Sequence, residues 1–303
     1  MLSPQPHRRP PRIDASAVSF DPEPSEGASM SSTQESFRRA ILLVAFGTSV
    51  PEARKAFDRI QAQAARAFPG TEIRWAYTSR VIRARLARQG EALESPELAL
   101  ARLKDEGFSH VAVLSLHVFP GQEFHDLHRT AMLFAGMAKG FRGVAMAMPL
   151  LSSYEDLVRV AGALLLQVPA DRRPDEALLF MGHGNQKHPA DMVYAAMNHV
   201  LSNLSERAHV GTVQGRPNIH DLLPKLQTSG VRKARLIPFM TVAGEHARKD
   251  MAGEDPGSWR SVLARHGIEC EVQMAGIAEN PAIVEIWLDH LGEAMERLNA
   301  PPL

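Results

Sequence analysis

The sequence predicts an α/β protein built from two similar doubly wound parallel-sheet lobes around a central cleft. Short apolar runs alternate with amphipathic stretches from Arg39 onward, and a weak internal duplication relates the two halves. Alternating strands and helices are typical of parallel sheets wrapped by helices. Hydrophobic residues make up 45% of the 303 residues, which is ordinary for a globular protein and supplies enough apolar surface for such a core.

Each half of the chain shows the same alternation of predicted strands and helices. Residues 40–46 form an almost continuous apolar run, which indicates a strand buried on both faces. In the first half, further strands are predicted at 72–77, 110–116 and 143–148, with helices at 51–68, 96–106 and 123–138. In the second half, strands are predicted at 177–181, 210–213, 234–239 and 269–275, with helices at 189–204, 219–227 and 281–298.

The duplication appears in two pairs of loops. Phe46-Gly47-Thr48 parallels Met181-Gly182-His183, and Pro120-Gly121-Gln122-Glu123 parallels Ala243-Gly244-Glu245-His246. Such folds bind ligands at the carboxyl ends of their strands, so two lobes would share one central site. We divide the chain into an N-terminal lobe at 37–165 and a C-terminal lobe at 166–303. Residues 1–36, rich in Pro, Ser and Arg, are expected to be a disordered extension, with Met30 as an alternative start.

Charge and motif content exclude several classes of protein. Lys and Arg balance Asp and Glu at 34 each, which argues against a nucleic-acid binder. The single Cys270 excludes an internal disulfide and a Cys-based zinc cluster, and it suits a reducing, cytoplasmic setting. No stretch approaches the ~18 apolar residues of a transmembrane helix. GxGxxG, Walker A and GxSxG motifs are missing, so neither a nucleotide cofactor nor a serine nucleophile is supported.

Two histidines follow predicted strands at corresponding places in the second half. His183 lies between two glycines directly after one strand, and His246 lies just past another. Paired imidazoles at the same edge of a sheet suit Co²⁺, Fe²⁺, Ni²⁺ or Zn²⁺, and either imidazole can accept a proton near neutral pH. The alternative is that each is a turn histidine without chemistry.

Other polar residues near these loops have two interpretations each. Glu123 occupies the first-half position that matches His246, but a Glu at a helix N-terminus also stabilises the helix dipole. His125 and His128 could form an exposed metal pair or simply a solvated helix face. Thr48 follows Gly47 at a helix N-terminus, where it could hold an anion or cap the helix.

Several motifs occur in one order along residues 39–300. They are Val44-Ala45-Phe46-Gly47-Thr48-Ser49, Tyr77-Thr78-Ser79-Arg80, Ser115-Leu116-His117, Pro120-Gly121-Gln122-Glu123-Phe124, Pro149-Leu150-Leu151-Ser152-Ser153, Phe180-Met181-Gly182-His183-Gly184, Val210-Gly211-Thr212-Val213, Val242-Ala243-Gly244-Glu245-His246-Ala247, Asp250-Met251-Ala252 and Ser258-Trp259. Together they resemble the anaerobic sirohydrochlorin cobaltochelatases, the CbiK type of class II chelatase.

The resemblance implies an enzyme that inserts Co²⁺ into a sirohydrochlorin-type tetrapyrrole without an organic cofactor, as a homo-oligomer. His183 and His246 match the family's metal-binding histidines, with His183 also the proton acceptor, and Glu123 matches an assisting acid. The family usually has Glu where this chain has Gln214, and an amide oxygen is the weaker partner for a dication. Residues that would bind the substrate carboxylates are Thr48, Ser79, Arg80 and Lys187, with Arg248 and Lys249 as further candidates.

Three alternatives remain open at this point. Imidazole sites bind iron as well as cobalt, so insertion of Fe²⁺ to make siroheme is the nearest alternative. A non-catalytic tetrapyrrole or metal carrier would need the cleft but no base. A metallohydrolase would need more carboxylate ligands than these motifs supply.

Overall fold

The computed structural model describes residues 37–168, 173, 175–185 and 188–299. The predicted disordered extension, the alternative start at Met30 and the candidate Lys187 lie outside these residues. None of the helices in the described ranges combines the length and the apolar character that crossing a bilayer requires.

The described residues form two four-stranded sheets surrounded by helices. The strands are β1 (Arg39–Ala45), β2 (Glu72–Tyr77), β3 (His110–Ser115), β4 (Gly143–Ala147), β5 (Ala177–Gly182), β6 (Ala208–Thr212), β7 (Lys233–Pro238) and β8 (Glu269–Val272). The α-helices are α1 (Pro51–Ala67), α2 (Arg80–Ala87), α3 (Pro96–Asp105), α4 (Gln122–Gly136), α5 (Tyr154–Leu166), α6 (Met192–Leu204), α7 (Ile219–Thr228), α8 (Trp259–Arg265) and α9 (Pro281–Asn299). Short 3₁₀ turns lie at Pro189–Asp191 and Ile277–Glu279, and a π-helical turn lies at Ala247–Met251.

The two sheets have the same topology. Their strand orders are β2-β1-β3-β4 and β6-β5-β7-β8, and every pairing is parallel. The predicted α/β class is therefore confirmed, and the weak sequence duplication corresponds to a repeated topology in which β1 matches β5 and β3 matches β7. In each sheet the second strand in sequence pairs with one edge of the first strand, and the third strand pairs with its opposite edge. This reversal creates the switch point beside which α/β sheets place their ligands.

Burial explains the unbroken apolar runs in the central strands. In β1, Ile41 and Leu43 pack in a core shared with β5, whereas Leu42 and Val44 pack in a second core on the other face of the sheet. Successive side chains of a strand point to opposite faces, so a strand covered on both faces needs apolar residues at every position.

The terminal helix packs against the first sheet. α9 contacts β3 and β4, and the Nδ1 atom of His290 lies 3.1 Å from the carbonyl oxygen of Met148. α5, from the first half of the chain, packs against both α6 and α9. The predicted boundary between residues 165 and 166 would place α9 in the lobe of the second sheet, although α9 packs on the first sheet. A single boundary in the sequence therefore does not separate the elements of the two sheets. We retain two lobes as a proposal, each centred on one sheet.

Three helices were not predicted from the periodicity, and each begins with a serine cap. The hydroxyls of Ser79, Ser153 and Ser258 accept hydrogen bonds from the backbone N–H groups three residues later, at the starts of α2, α5 and α8. Serine is a favoured N-cap because it satisfies one of the unpaired N–H groups of the first turn. β8 also ends earlier than predicted, at Val272, as an edge strand whose alternate residues face solvent.

Candidate metal centre

The loops that follow β1, β3, β5, β6 and β7 meet at the carboxyl ends of the two sheets. We call them the loop cluster; their described residues are 46–50, 116–121, 183–185, 188, 213–218 and 239–246. A hydrogen bond of 2.7 Å from Thr241 Oγ1 to the carbonyl oxygen of Leu116 joins the loops after β7 and β3. Thr48 Oγ1 would lie 3.5 Å from a Cβ atom at Gly244, which brings the loop after β1 to the same place. Both halves of the chain therefore contribute to one site.

His183 and His246 lie side by side in the loop cluster. Their ring centroids are 4.7 Å apart and the ring planes are nearly perpendicular, at 84°. His183 directly follows β5, and His246 precedes the π-helical turn. His183 is exposed and His246 is partly exposed, so both rings can be reached from solvent. The structure thus brings together the two histidines that the sequence singled out.

Hydrogen bonds at the Nδ1 atoms determine which nitrogen of each ring keeps its lone pair. His183 Nδ1 lies 2.8 Å from the carbonyl oxygen of Gly184, and His246 Nδ1 lies 2.7 Å from Asp250 Oδ2. Both partners are acceptors, so each Nδ1 carries the hydrogen, and the neutral ring keeps its lone pair on Nε2. Metal-binding histidines are oriented in this way, by a carbonyl or carboxylate at the second ring nitrogen. Asp250 was not predicted as a functional residue, although its spacing of four from His246 within a helical turn is a signal that could have found it.

The His183 loop is held by close backbone packing. Gly184 has φ +74°, and a Cβ atom there would lie 2.6 Å from the backbone nitrogen of Gly215. At Gly182 a Cβ atom would lie 2.5 Å from the ring of Tyr194, whose hydroxyl accepts a hydrogen bond from Gly184 N. The two glycines that flank His183 are therefore required by close approach on both sides, and by the left-handed backbone at the second.

Gln214 lies beside His183. Its backbone N–H donates to the carbonyl oxygen of His183 over 2.8 Å, and Val213 N donates to Gly182 O over 3.0 Å. These bonds extend the β5–β6 pairing into the loops, and the side chain of Gln214 is exposed. The predicted neighbourhood of Gln214 and His183 is present, while a ligand role for the amide stays a prediction.

Glu123 lies in the first turn of α4 and is exposed. Two residues further along this helix, the His125 ring stacks on His188 with a centroid distance of 5.8 Å, which brings α4 beside the loop after β5. In the described part of the chain, no group of three or more His, Cys, Asp or Glu side chains is arranged to hold a metal ion. A metal-binding role for the His183–His246 pair, and the share of Glu123 in it, stay predictions.

The candidate carboxylate-binding residues differ in availability. Thr48 Oγ1 accepts from Val50 N over 3.1 Å, and Ser79 Oγ accepts from Ile82 N over 3.3 Å, so both buried hydroxyls cap local structure. Arg80 is exposed at the start of α2.

Arg248 and Lys249 already have carboxylate partners at the surface. Arg248 pairs with Glu52 over 3.1 Å, and Lys249 pairs with Glu245 over 2.8 Å. Exposed pairs of this kind are weak, so an anionic ligand could displace either carboxylate.

His117 is a half-buried residue whose role the sequence did not predict. Its Nδ1 atom lies 2.8 Å from Ser115 Oγ, whereas its Nε2 atom is enclosed and has no hydrogen-bond partner among the described residues. Burial lowers the pKa of His117 to about 4, because the charged ring would lose its hydration. His117 is therefore neutral near physiological pH.

Known proteins resemble this chain along most of its length. The family model described as cobalt chelatase (CbiK) matches residues 39–296. Sirohydrochlorin cobaltochelatase CbiKC of Nitratidesulfovibrio vulgaris, strain Hildenborough, is 39% identical over 262 residues, which cover 86% of this chain and 92% of that protein. Sirohydrochlorin cobaltochelatase of Salmonella typhimurium, strain LT2, is 34% identical over 260 residues, which cover 85% of this chain and 97% of that protein.

Solved structures share the fold at much lower identity. SirB from Bacillus subtilis with Fe³⁺ has a TM-score of 0.57 at 14% identity, covering 85% of this chain and 95% of that one. CbiX, described as the terminal enzyme for biosynthesis of siroheme in denitrifying bacteria, has a TM-score of 0.55 at 17% identity, covering 84% of this chain and 99% of that one. Those similarities show the fold alone, whereas the family match spans almost all of the described residues. This chain belongs to the cobalt chelatase (CbiK) family.

Proposed function

We propose that this chain inserts Co²⁺ into sirohydrochlorin, with the loop cluster as its active site. The observation that carries the proposal is the His183–His246 pair, whose Nδ1 atoms both face acceptors and whose Nε2 atoms therefore keep their lone pairs. Both curated relatives described above are named sirohydrochlorin cobaltochelatases, which supports this metal and this tetrapyrrole.

The reaction exchanges two pyrrole N–H protons for one dication. His183 Nε2 accepts a proton from the ring, as a neutral imidazole can near physiological pH. His246 Nε2 holds the incoming metal, with His183 as the second ligand until its lone pair takes the proton. The second pyrrole proton leaves to solvent or to Glu123. Two protein ligands suit this task, because a saturated site would retain the metal.

Substrate orientation would come from the cations around the loop cluster. Sirohydrochlorin carries eight carboxylates, and arginine binds carboxylates through paired hydrogen bonds. Arg80 and Lys187 are our candidates, and Arg248 would join them by exchanging Glu52 for a substrate carboxylate.

Anaerobic incubation of the protein with sirohydrochlorin and Co²⁺, followed by absorbance, tests the proposal. Replacing His183 with Ala should slow insertion by about 100-fold or more, since the variant loses both a base and a ligand. The matched control is His199→Ala, because His199 is exposed on α6 away from the loop cluster. Insertion by His183→Ala at the wild-type rate would remove His183 from the mechanism.

Iron is the second metal to test. An imidazole pair binds Fe²⁺ as well as Co²⁺, and its preference depends on the remaining ligands. Parallel assays at equal concentrations of the two ions should give faster insertion of cobalt. Faster insertion of iron would assign the chain to siroheme synthesis instead.

A further inference from the structure

The carboxylate of Asp191 joins two loops of the metal centre. Its Oδ1 atom accepts a hydrogen bond of 2.7 Å from the backbone nitrogen of Asn185, in the loop after β5. Its Oδ2 atom accepts from the backbone nitrogen of Arg216, in the loop after β6, over 3.4 Å. Both oxygens are thus directed at protein N–H groups.

These loops carry His183 and Gln214. Asn185 lies two residues after His183, and Arg216 lies two residues after Gln214. A Cβ atom at Gly215 would lie 1.8 Å from Asp191 Oδ2, so the carboxylate occupies the space directly against this backbone. The two loops and the carboxylate pack as one unit.

Asp191 is itself held in place by a short turn. It ends the 3₁₀ turn that begins at Pro189, and its backbone N–H donates to the carbonyl oxygen of His188 over 3.2 Å. The Nδ1 atom of His188 accepts from Ala190 N over 3.1 Å and caps the same turn. The carboxylate is therefore presented from a fixed backbone.

We infer that Asp191 is a positioning residue for metal capture, which fixes the loops of His183 and Gln214 relative to each other. This inference rests on the proposed function of the loop cluster. A carboxylate suits the task because its two oxygens accept from two N–H donors at once, whereas an amide offers one acceptor oxygen. Without it, the loops would occupy the binding geometry for only part of the time, and the apparent affinity would fall in proportion.

Calorimetric titration of the full chain with Co²⁺ alone, under anaerobic conditions, tests this role. We expect Asp191→Ala to weaken Co²⁺ binding by about 10- to 100-fold, the usual effect of losing an outer partner of a metal site. Asp191→Asn should fall between Ala and wild type, because it keeps one acceptor. The matched control is Asp156→Asn at the start of α5, since Asp156 Oδ2 also accepts a backbone N–H, from Ser152, while its Oδ1 pairs with His290 of α9. That variant should lower the thermal midpoint without changing the Co²⁺ affinity.

A double-mutant cycle with Gln214→Glu separates positioning from general destabilisation. A glutamate at 214 should tighten Co²⁺ binding in the wild-type background and should do so less in Asp191→Ala, because the loop no longer holds residue 214 in place. The inference would be overturned if the effects of Gln214→Glu and Asp191→Ala on the free energy of Co²⁺ binding were additive. It would also be overturned if both Asp191 variants kept the wild-type Co²⁺ affinity. If Asp191→Ala does not fold, the Co²⁺ affinity of Asp191→Asn tests the inference, and it should be weaker than that of the wild type.

The two proposals fail separately. If Asp191 variants weaken Co²⁺ binding but the wild-type protein inserts no metal into sirohydrochlorin, the positioning role stands and the proposed reaction does not. If the wild type inserts cobalt and His183→Ala does not, while Asp191 variants bind Co²⁺ normally, the reaction stands and the positioning role does not.

Discussion

Three histidines of the loop cluster show how one hydrogen bond decides the chemistry of an imidazole. His183 and His246 face acceptors at Nδ1 and keep a lone pair at Nε2, whereas Nδ1 of His188 accepts from Ala190 N. A neutral His188 therefore carries its hydrogen at Nε2, where it can donate but cannot bind a metal. This hydrogen bond argues against His188 as a metal ligand, although it lies in the same loop as His183.

His117 should make the stability of the protein depend on pH. Burial lowers its pKa in the folded state to about 4, below the value near 6.5 expected in the unfolded chain. Between these values the unfolded chain binds a proton that the folded protein does not. The free energy of unfolding should therefore fall as the pH drops below about 6.5 and level off near 4, with about 2 kcal/mol lost by pH 5.

Urea unfolding at pH 7 and pH 5 checks this prediction. His117→Asn should lose about 2 kcal/mol less than wild type between the two pH values, because it lacks the buried imidazole. Burial also lowers the pKa values of His110 and His209. These two residues contribute equally to the pH dependence of stability in the wild type and in the variant. An identical pH dependence in the variant would show that His117 binds its proton normally in the folded state.

At the scale of elements, the helix caps and turns explain both the successes and the failures of prediction. The strands and six of the nine described α-helices were predicted to within a few residues, because their periodicity extends over many positions. α2, α5 and α8 were missed, although Ser79, Ser153 and Ser258 mark their starts. Substrate binding by Ser79 stays a prediction; its hydroxyl also accepts from Ile82 N at the start of α2.

The turn after β5 should not tolerate a side chain at Gly184, the second of the two glycines that flank His183. Gly184→Ala adds the strain of φ +74° and places a Cβ atom 2.6 Å from Gly215 N. Because displacing a reacting group by about 1 Å can cost 100-fold in rate, we expect at least a tenfold loss of cobalt insertion. The insertion assay described above measures it.

Gly230→Ala is the matched control for this variant. Gly230 has φ +66°, but nothing lies within 4 Å of a Cβ atom there. It should cost about 1–2 kcal/mol in the free energy of unfolding, from the left-handed backbone alone, and leave insertion unchanged. Equal insertion rates in the two alanine variants would contradict the steric argument.

At the scale of the whole molecule, α9 ties the end of the chain to the first sheet. His290 Nε2 lies 3.1 Å from Asp156 Oδ1, and both side chains are buried. Its Nδ1 atom faces the carbonyl oxygen of Met148, so both ring nitrogens lie beside acceptor oxygens. Removing the ring leaves the buried carboxyl group of Asp156 without this partner, which is costly.

We therefore expect His290→Leu to lower the free energy of unfolding by about 3 kcal/mol or more in urea denaturation. The matched control is Asp289→Asn on the same helix, which breaks an exposed pair with Arg159 of α5. Its cost should stay below about 1 kcal/mol. Equal costs for the two variants would mean that the buried pair contributes no more than the surface pair.

The amino-acid sequence by itself determined the alternation of strands and helices, the repeat, and the placement of His183 and His246 directly after strands. These features depend on side-chain periodicity and on short motifs, which are local properties of the chain. Only the tertiary structure decided that the two rings meet, that Asp250 and a carbonyl orient them, and that Asp191 joins two loops. It also decided that α9 packs on the first sheet. Such contacts connect residues far apart in sequence, and they follow from strand order and loop packing, which no local pattern encodes.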